Sequence, residues 1–160
     1  MSNHTHASGQ GTGGSHYRRL LVMTALSFAA MYVLMYAMVN SARNVYANLN
    51  QFYMAGLMTA AMVVIELAVM GAMYRNRRLN AGIIGAALVA LAVFWAFTRR
   101  QTAISDEQFL RSMIPHHAGA ILMCERAAIQ DSEIKQLCQG IVSSQQAEID
   151  QMKAKLRDLP

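Results

Sequence analysis

Over the first hundred residues, long apolar blocks alternate with short polar breaks, and beyond them the pattern changes to one of half-apolar helices. Leu20 to Val39 carries no charge. Phe52 to Tyr74 carries only Glu66, and Leu79 to Phe97 carries none. A bilayer core of about 30 Å needs about 20 apolar residues in a helix, so the pattern predicts three transmembrane helices, about 20–39, 52–74 and 79–97. Residues 1–16, rich in Gly, Ser, Thr and His, predict a disordered tail before a membrane region of 17–100. No small-residue cleavage site follows the first block, so the tail does not read as a signal peptide.

Residues 101–160 predict a different object. Ser105-Asp106-Glu107-Gln108 reads as a capping box opening a helix to about Gln130, with Pro115 inside it. Asp131-Ser132-Glu133 opens a second helix to about Leu156, with Ile134, Leu137, Cys138, Ile141, Val142, Ile149, Met152 and Leu156 as its apolar stripe. The fold class is therefore all-α, with three transmembrane helices followed by a two-helix hairpin. A lone hairpin buries little area, so a homo-oligomer forming a four-helix bundle, or a partner membrane protein, is expected to cover it.

Composition sharpens this. Hydrophobic residues make up 54% of the chain and charged ones 14%, about half the usual share. The net charge of +5 comes mostly from Arg clusters at block ends, so it reports topology and the lipid bilayer as partner. No basic run interleaved with aromatics suggests nucleic acid. Arg18, Arg19, Arg75, Arg77 and Arg78 share one side, against Arg43, Arg99 and Arg100 on the other. The bias favours a cytoplasmic N-terminus and a periplasmic C-terminal domain at a bacterial inner membrane.

The candidate chemistry is soft. In the first hairpin helix, Met113, His117, Ala120 and Cys124 fall on one face, with His116 and Met123 beside it. Imidazole with thioether and thiol suits Cu(I) far better than hard cations. Folding the hairpin at Asp131 sets Cys124 beside Cys138, His117 beside Gln145, Met113 beside Ile149, Leu110 beside Met152, and Glu148 near Met113 and His117. Two accounts fit. His117, Met113 and Met152, with His116 and Met123, ligate the metal while Glu148 or Gln145 orients an imidazole; or Glu148 and Gln145 merely satisfy a buried His117. Cys124 and Cys138 read as a disulfide, as extra ligands, or as separate thiols. No catalytic triad, phosphate loop or carboxylate pair is present, so no enzyme is expected.

The motifs Met113-x-x-His116-His117 with Ala120-x-x-Met123, then Gln145-x-x-Glu148-Ile149-x-x-Met152, resemble the family catalogued as domain of unknown function 305 over Ser105 to Leu159. The resemblance implies a ferritin-like helical bundle that binds copper or silver outside the cytoplasm, for sequestration or delivery in metal tolerance. The alternatives are an accessory subunit whose hairpin is an interaction module, and a Cu(I) channel. For the channel, Met54, Met58, Met62, Glu66, Met70 and Met73 form a stripe on the second span, and Met31, Met35 and Met38 one on the first. Either stripe is equally ordinary packing. Gly82 and Gly85, with Ala81 and Ala86, offer a small-residue face for close helix contact. In the tail, Ser2-Asn3-His4 suits square-planar Cu(II) once Met1 is removed.

Overall fold

The computed structural model describes residues 12–159, and the Ser2-Asn3-His4 motif lies outside them. Five α-helices and no strand occur among the described residues: α1 (Thr12–Leu34), α2 (Leu49–Val69), α3 (Arg77–Arg100), α4 (Asp106–Arg126) and α5 (Ser132–Asp158). Among the described residues, three segments are long and apolar enough to cross a membrane: Gly14–Met38, Leu49–Val69 and Arg77–Arg100. The first starts earlier than the composition suggests, because residues 12–16 are helical despite their Gly and Ser content.

The chain divides into two compact units. One holds the described residues up to Met31 and residues 55–95. Its core is Leu20, Val63, Leu67, Tyr74 and Ala87, with Tyr17 and Met62 packed on it. The close helix contact here lies at Gly56, where an added Cβ would fall 2.6 Å from the Phe94 ring. Gly82 and Gly85 meet nothing within 4 Å, so they do not form the close contact their spacing predicted. The α2 helix stops at Val69 and a 3-10 turn, Gly71–Met73, follows. Met70 and Met73 therefore do not continue the methionine stripe of α2, and both are exposed. Glu66 sits in the last turn of α2 rather than at mid-span, where its Oε1 accepts from the Tyr74 hydroxyl at 3.2 Å. Burial, and secondarily this hydrogen bond, raises the Tyr74 phenol above its ordinary pKa.

The second unit holds residues 32–54 and 96–160. The α4 and α5 helices form the expected antiparallel hairpin around Ile114, Ala118, Ile121 and Ile149, all but fully buried. Its caps are local and legible. Ser105 accepts from the Gln108 backbone N–H at 3.4 Å, and Asp131 Oδ1 accepts from Glu133 at 2.8 Å and Ile134 at 3.0 Å. The capping box is only half made, because the Gln108 side chain accepts from the Leu49 N–H at 2.9 Å, supplying a first-turn donor of α2. Asn50 and Gln101 exchange amide hydrogen bonds of 3.0 and 3.1 Å. A 3-10 turn at Met35–Met38 ends the first apolar segment, and Met38 is what a Cβ on Gly119 would meet, at 3.5 Å from its carbonyl oxygen.

The stripe of α5 is only partly used. Val142, Ile149, Met152 and Leu156 pack into the core. Ile134 and Leu137, expected on that face, are 50% and 62% exposed.

Candidate metal centre

The vicinal histidines separate because successive residues on a helix point about 100° apart. His117 falls on the edge of the stripe that carries Ile114 and Ile121, and it is buried. His116 points away and is exposed. Their rings lie 6.2 Å apart, nearly edge to face.

His117 has both nitrogens engaged. Nδ1 lies 2.9 Å from the Met113 carbonyl, which can only accept, so Nδ1 carries a proton. Nε2 lies 2.7 Å from Glu148 Oε2, within hydrogen-bond reach. Nδ1–H on a backbone carbonyl is also the arrangement that presents Nε2 of a ligating histidine. In this geometry, however, Glu148 occupies the place a metal would take. The contact sits at the surface, since the Glu148 side chain is 52% exposed.

His116 is on the other side, with no side-chain hydrogen bond among the described residues, and lines an open cleft of about 880 Å³. Met113, Met123, His117 and Gln145 line the same cleft, as do Met35 and Met38 from the 3-10 turn. Met123 and Met38 are 54% and 51% exposed, so neither is consumed by a core. Among the described residues, no Asp, Glu, Lys or Arg lines it. The donor groups along it are imidazole, thioether, amide and the Ser112 hydroxyl.

The remaining candidate residues lie elsewhere. Met152 packs against the isoleucine core rather than facing the cleft. Cys124 and Cys138 are joined by a disulfide with Cα atoms 5.2 Å apart, so in this state they are not thiolate ligands. Glu66 belongs to the other unit. No cluster of three or more His, Cys, Asp or Glu placed to hold a metal occurs among the described residues. Any soft site must therefore draw on methionine. Met35 and Met38 were legible only as part of a membrane-helix stripe, and nothing local in the sequence links them to the His pair.

An all-α protein with three membrane-competent helices and a disulfide-closed hairpin is thus the class that fold and site define. The model of a domain of unknown function (DUF305) matches residues 91–156, beginning inside α3 and so earlier than the motifs indicate. An uncharacterized protein of Acanthamoeba polyphaga mimivirus is 35% identical over 138 residues, covering 84% of this chain and 89% of the relative. The chain belongs to the family of that viral protein, and its DUF305 segment includes the whole α4 helix and nearly all of α5. No solved structure matches it.

Proposed function

We propose that the protein is a membrane-anchored binder of a soft monovalent cation, Cu(I) or Ag(I), serving metal sequestration or delivery in tolerance. The observation that carries this reading is the cleft lined by Met113, His116 and Met123, with no carboxylate among its described lining residues. Hard divalent ions need oxygen donors and preferably charge, whereas thioether and imidazole select Cu(I) and Ag(I). His117 and Glu148 brace α4 against α5 beside the ligands, so the buried imidazole acts as support. The disulfide favours an oxidising compartment for the hairpin, in line with the Arg bias that puts the C-terminal domain in a periplasm.

The test is an anaerobic Cu(I) titration of the full chain in detergent micelles against a coloured competing chelator. The wild type is expected to withdraw Cu(I), and a His116→Ala/Met123→Leu variant of unchanged helicity to do so far less. Complete retention of Cu(I) by the chelator across the wild-type titration rejects the reading.

A second reading, an interaction module, is favoured by the exposed Ile134 and Leu137 near the turn. A second copy of the hairpin laid over them would build the ferritin-like four-helix bundle. Light scattering of the wild type and of an Ile134→Glu/Leu137→Glu variant tests this: a dimer that the variant dissociates supports it, and a monomeric wild type removes it.

A further inference from the structure

We infer that Arg18, Arg19, Arg75, Arg77 and Arg78 form a docking site for an anionic phospholipid, whose phosphodiester head group they hold and whose acyl chain lies along α1. This stands apart from the cation-binding reading and concerns the other compact unit of the chain.

Topology alone asks for basic residues on one side of a membrane, and does not ask for their gathering at one point. Here a tyrosine gathers them. The Tyr17 hydroxyl donates to Asn80 Oδ1 at 2.7 Å and accepts from the Asn76 backbone N–H at 3.3 Å. Asn80 Nδ2 in turn donates to the Tyr74 carbonyl at 2.9 Å, and the Tyr17 and Tyr74 rings pack with centroids 5.4 Å apart. Tyr17 directly precedes Arg18, and Asn76 lies between Arg75 and Arg77, so this contact joins the two basic runs.

The charge on them is unspent. All five arginines are exposed, and none has an ion pair among the described residues. Glu66 is the sole carboxylate among the described residues of this unit, and it accepts from the Tyr74 hydroxyl. The counter-charge must come from outside the chain. A guanidinium offers paired N–H donors that match the oxygens of a phosphodiester.

The apolar part of the ligand has a track of its own. Arg18, Val22, Leu26 and Ala30 follow one another at four-residue steps, which places them on one face of α1, and they line a shallow groove along it. Val22 and Leu26 are 51% and 66% exposed, and neither belongs to the core of the unit. Twelve residues rise about 18 Å, slightly more than half of the roughly 30 Å hydrocarbon core, so a chain anchored at Arg18 stays within one leaflet. A soluble phosphate would leave that track bare, and a zwitterionic lipid would bring its own cation to the arginines. Basic residues continuous with a lipid-length apolar face select an anionic lipid over both.

The experiment uses the full chain, delipidated in micelles of neutral detergent and mixed with phosphatidylglycerol, phosphatidylcholine or soluble glycerol phosphate. Native mass spectrometry counts what is retained. Wild type is expected to retain phosphatidylglycerol well above the other two. Arg18→Gln/Arg19→Gln, with helicity verified by far-ultraviolet circular dichroism, should weaken that retention about 30-fold, at roughly 5-fold for each arginine facing an anionic head group. Arg43→Gln/Arg100→Gln removes the same charge from the other unit and should bind like wild type. Equal losses in the two variants would mean that only net charge counts, and would overturn the inference. Equal retention of the two lipids by wild type, or glycerol phosphate bound as tightly as phosphatidylglycerol, would overturn it too. Should Arg18→Gln/Arg19→Gln not fold, Arg75→Gln/Arg77→Gln/Arg78→Gln takes its place under the same criteria.

Discussion

The two sides of α4 carry similar residues and put them to opposite uses. On the side facing α5, Ile114, Ala118 and Ile121 are closed against Ile149, and the polar group among them, His117, has every hydrogen-bonding atom engaged. On the cleft side, Met113, His116 and Met123 carry comparable apolar bulk and the same imidazole, yet none belongs to a core. A buried polar atom without a partner costs about 1–3 kcal/mol, so the inner side had to be completed. The outer side bears no such constraint and keeps its donors available. Identity of residue type therefore says little here, and position relative to the isoleucine stripe says most.

That contrast can be broken from the inside first. Ile149 is fully buried and Ile114 faces it, so Ile149→Ala should destabilise the hairpin by about 2–5 kcal/mol. Thermal unfolding of the full chain in micelles, followed at 222 nm, would register it. A loss below about 1 kcal/mol would mean that the isoleucine cluster is not the hairpin's core.

Opening the disulfide should cost somewhat less. It closes a loop with a sequence separation of 14, for which chain entropy predicts about 3 kcal/mol. Cys124→Ser/Cys138→Ser should lower the unfolding temperature of oxidised protein to that of the reduced wild type. If the two remain apart, the serines perturb something besides the crosslink.

Next in size is the polar brace. Glu148→Ala removes the partner of His117 Nε2 at a contact open to water on one side and should cost about 1 kcal/mol, while Glu148→Gln, whose amide can still pair with the ring, should cost less. Equal losses in denaturant titrations of the two variants would show that packing of the Glu148 stem, and not the hydrogen bond, holds the helices.

Much of this was legible in the sequence because it is local or follows from one turn. Span composition located three membrane-competent helices, and Ser105 and Asp131 marked the hairpin starts by caps that act within three residues. Counting outward from Asp131 put Cys124 beside Cys138 and Glu148 near His117. Gln145 was given the closer place, yet the carboxylate, one turn farther along α5, took the contact. Periodicity put Met152 on the apolar stripe of α5 and Met123 beside the donor face of α4, but it could not show that the first packs into the core while the second lines the cleft. The end of α2 was hidden because Met70, Ala72, Met73 and Tyr74 continue its apolar character while the backbone turns to a 3-10 pattern. Met35 and Met38 were out of reach for a different reason. Their cleft forms between segments about eighty residues apart, and no local rule of spacing connects them.

The smallest expected effect on stability is the one that sharpens the contrast most. His116→Ala removes an exposed side chain with no hydrogen bond among the described residues, and Ala is the better helix former, so the unfolding free energy should shift by no more than about 0.5 kcal/mol. His117→Ala deletes a buried ring and its contact with Glu148, so its cost should exceed about 1 kcal/mol. Cu(I) affinity should follow a different rule, falling sharply in His116→Ala at unchanged stability. Any fall in His117→Ala should accompany the loosening of the helix that presents Met113. The discriminating measurement is Cu(I) competition on both variants at a temperature where each is fully folded. If only His117→Ala then loses the metal, the inner imidazole is the ligand and Glu148 is displaced on binding. If only His116→Ala loses it, the two sides of α4 divide as their burial indicates, one holding the fold and the other holding the cation.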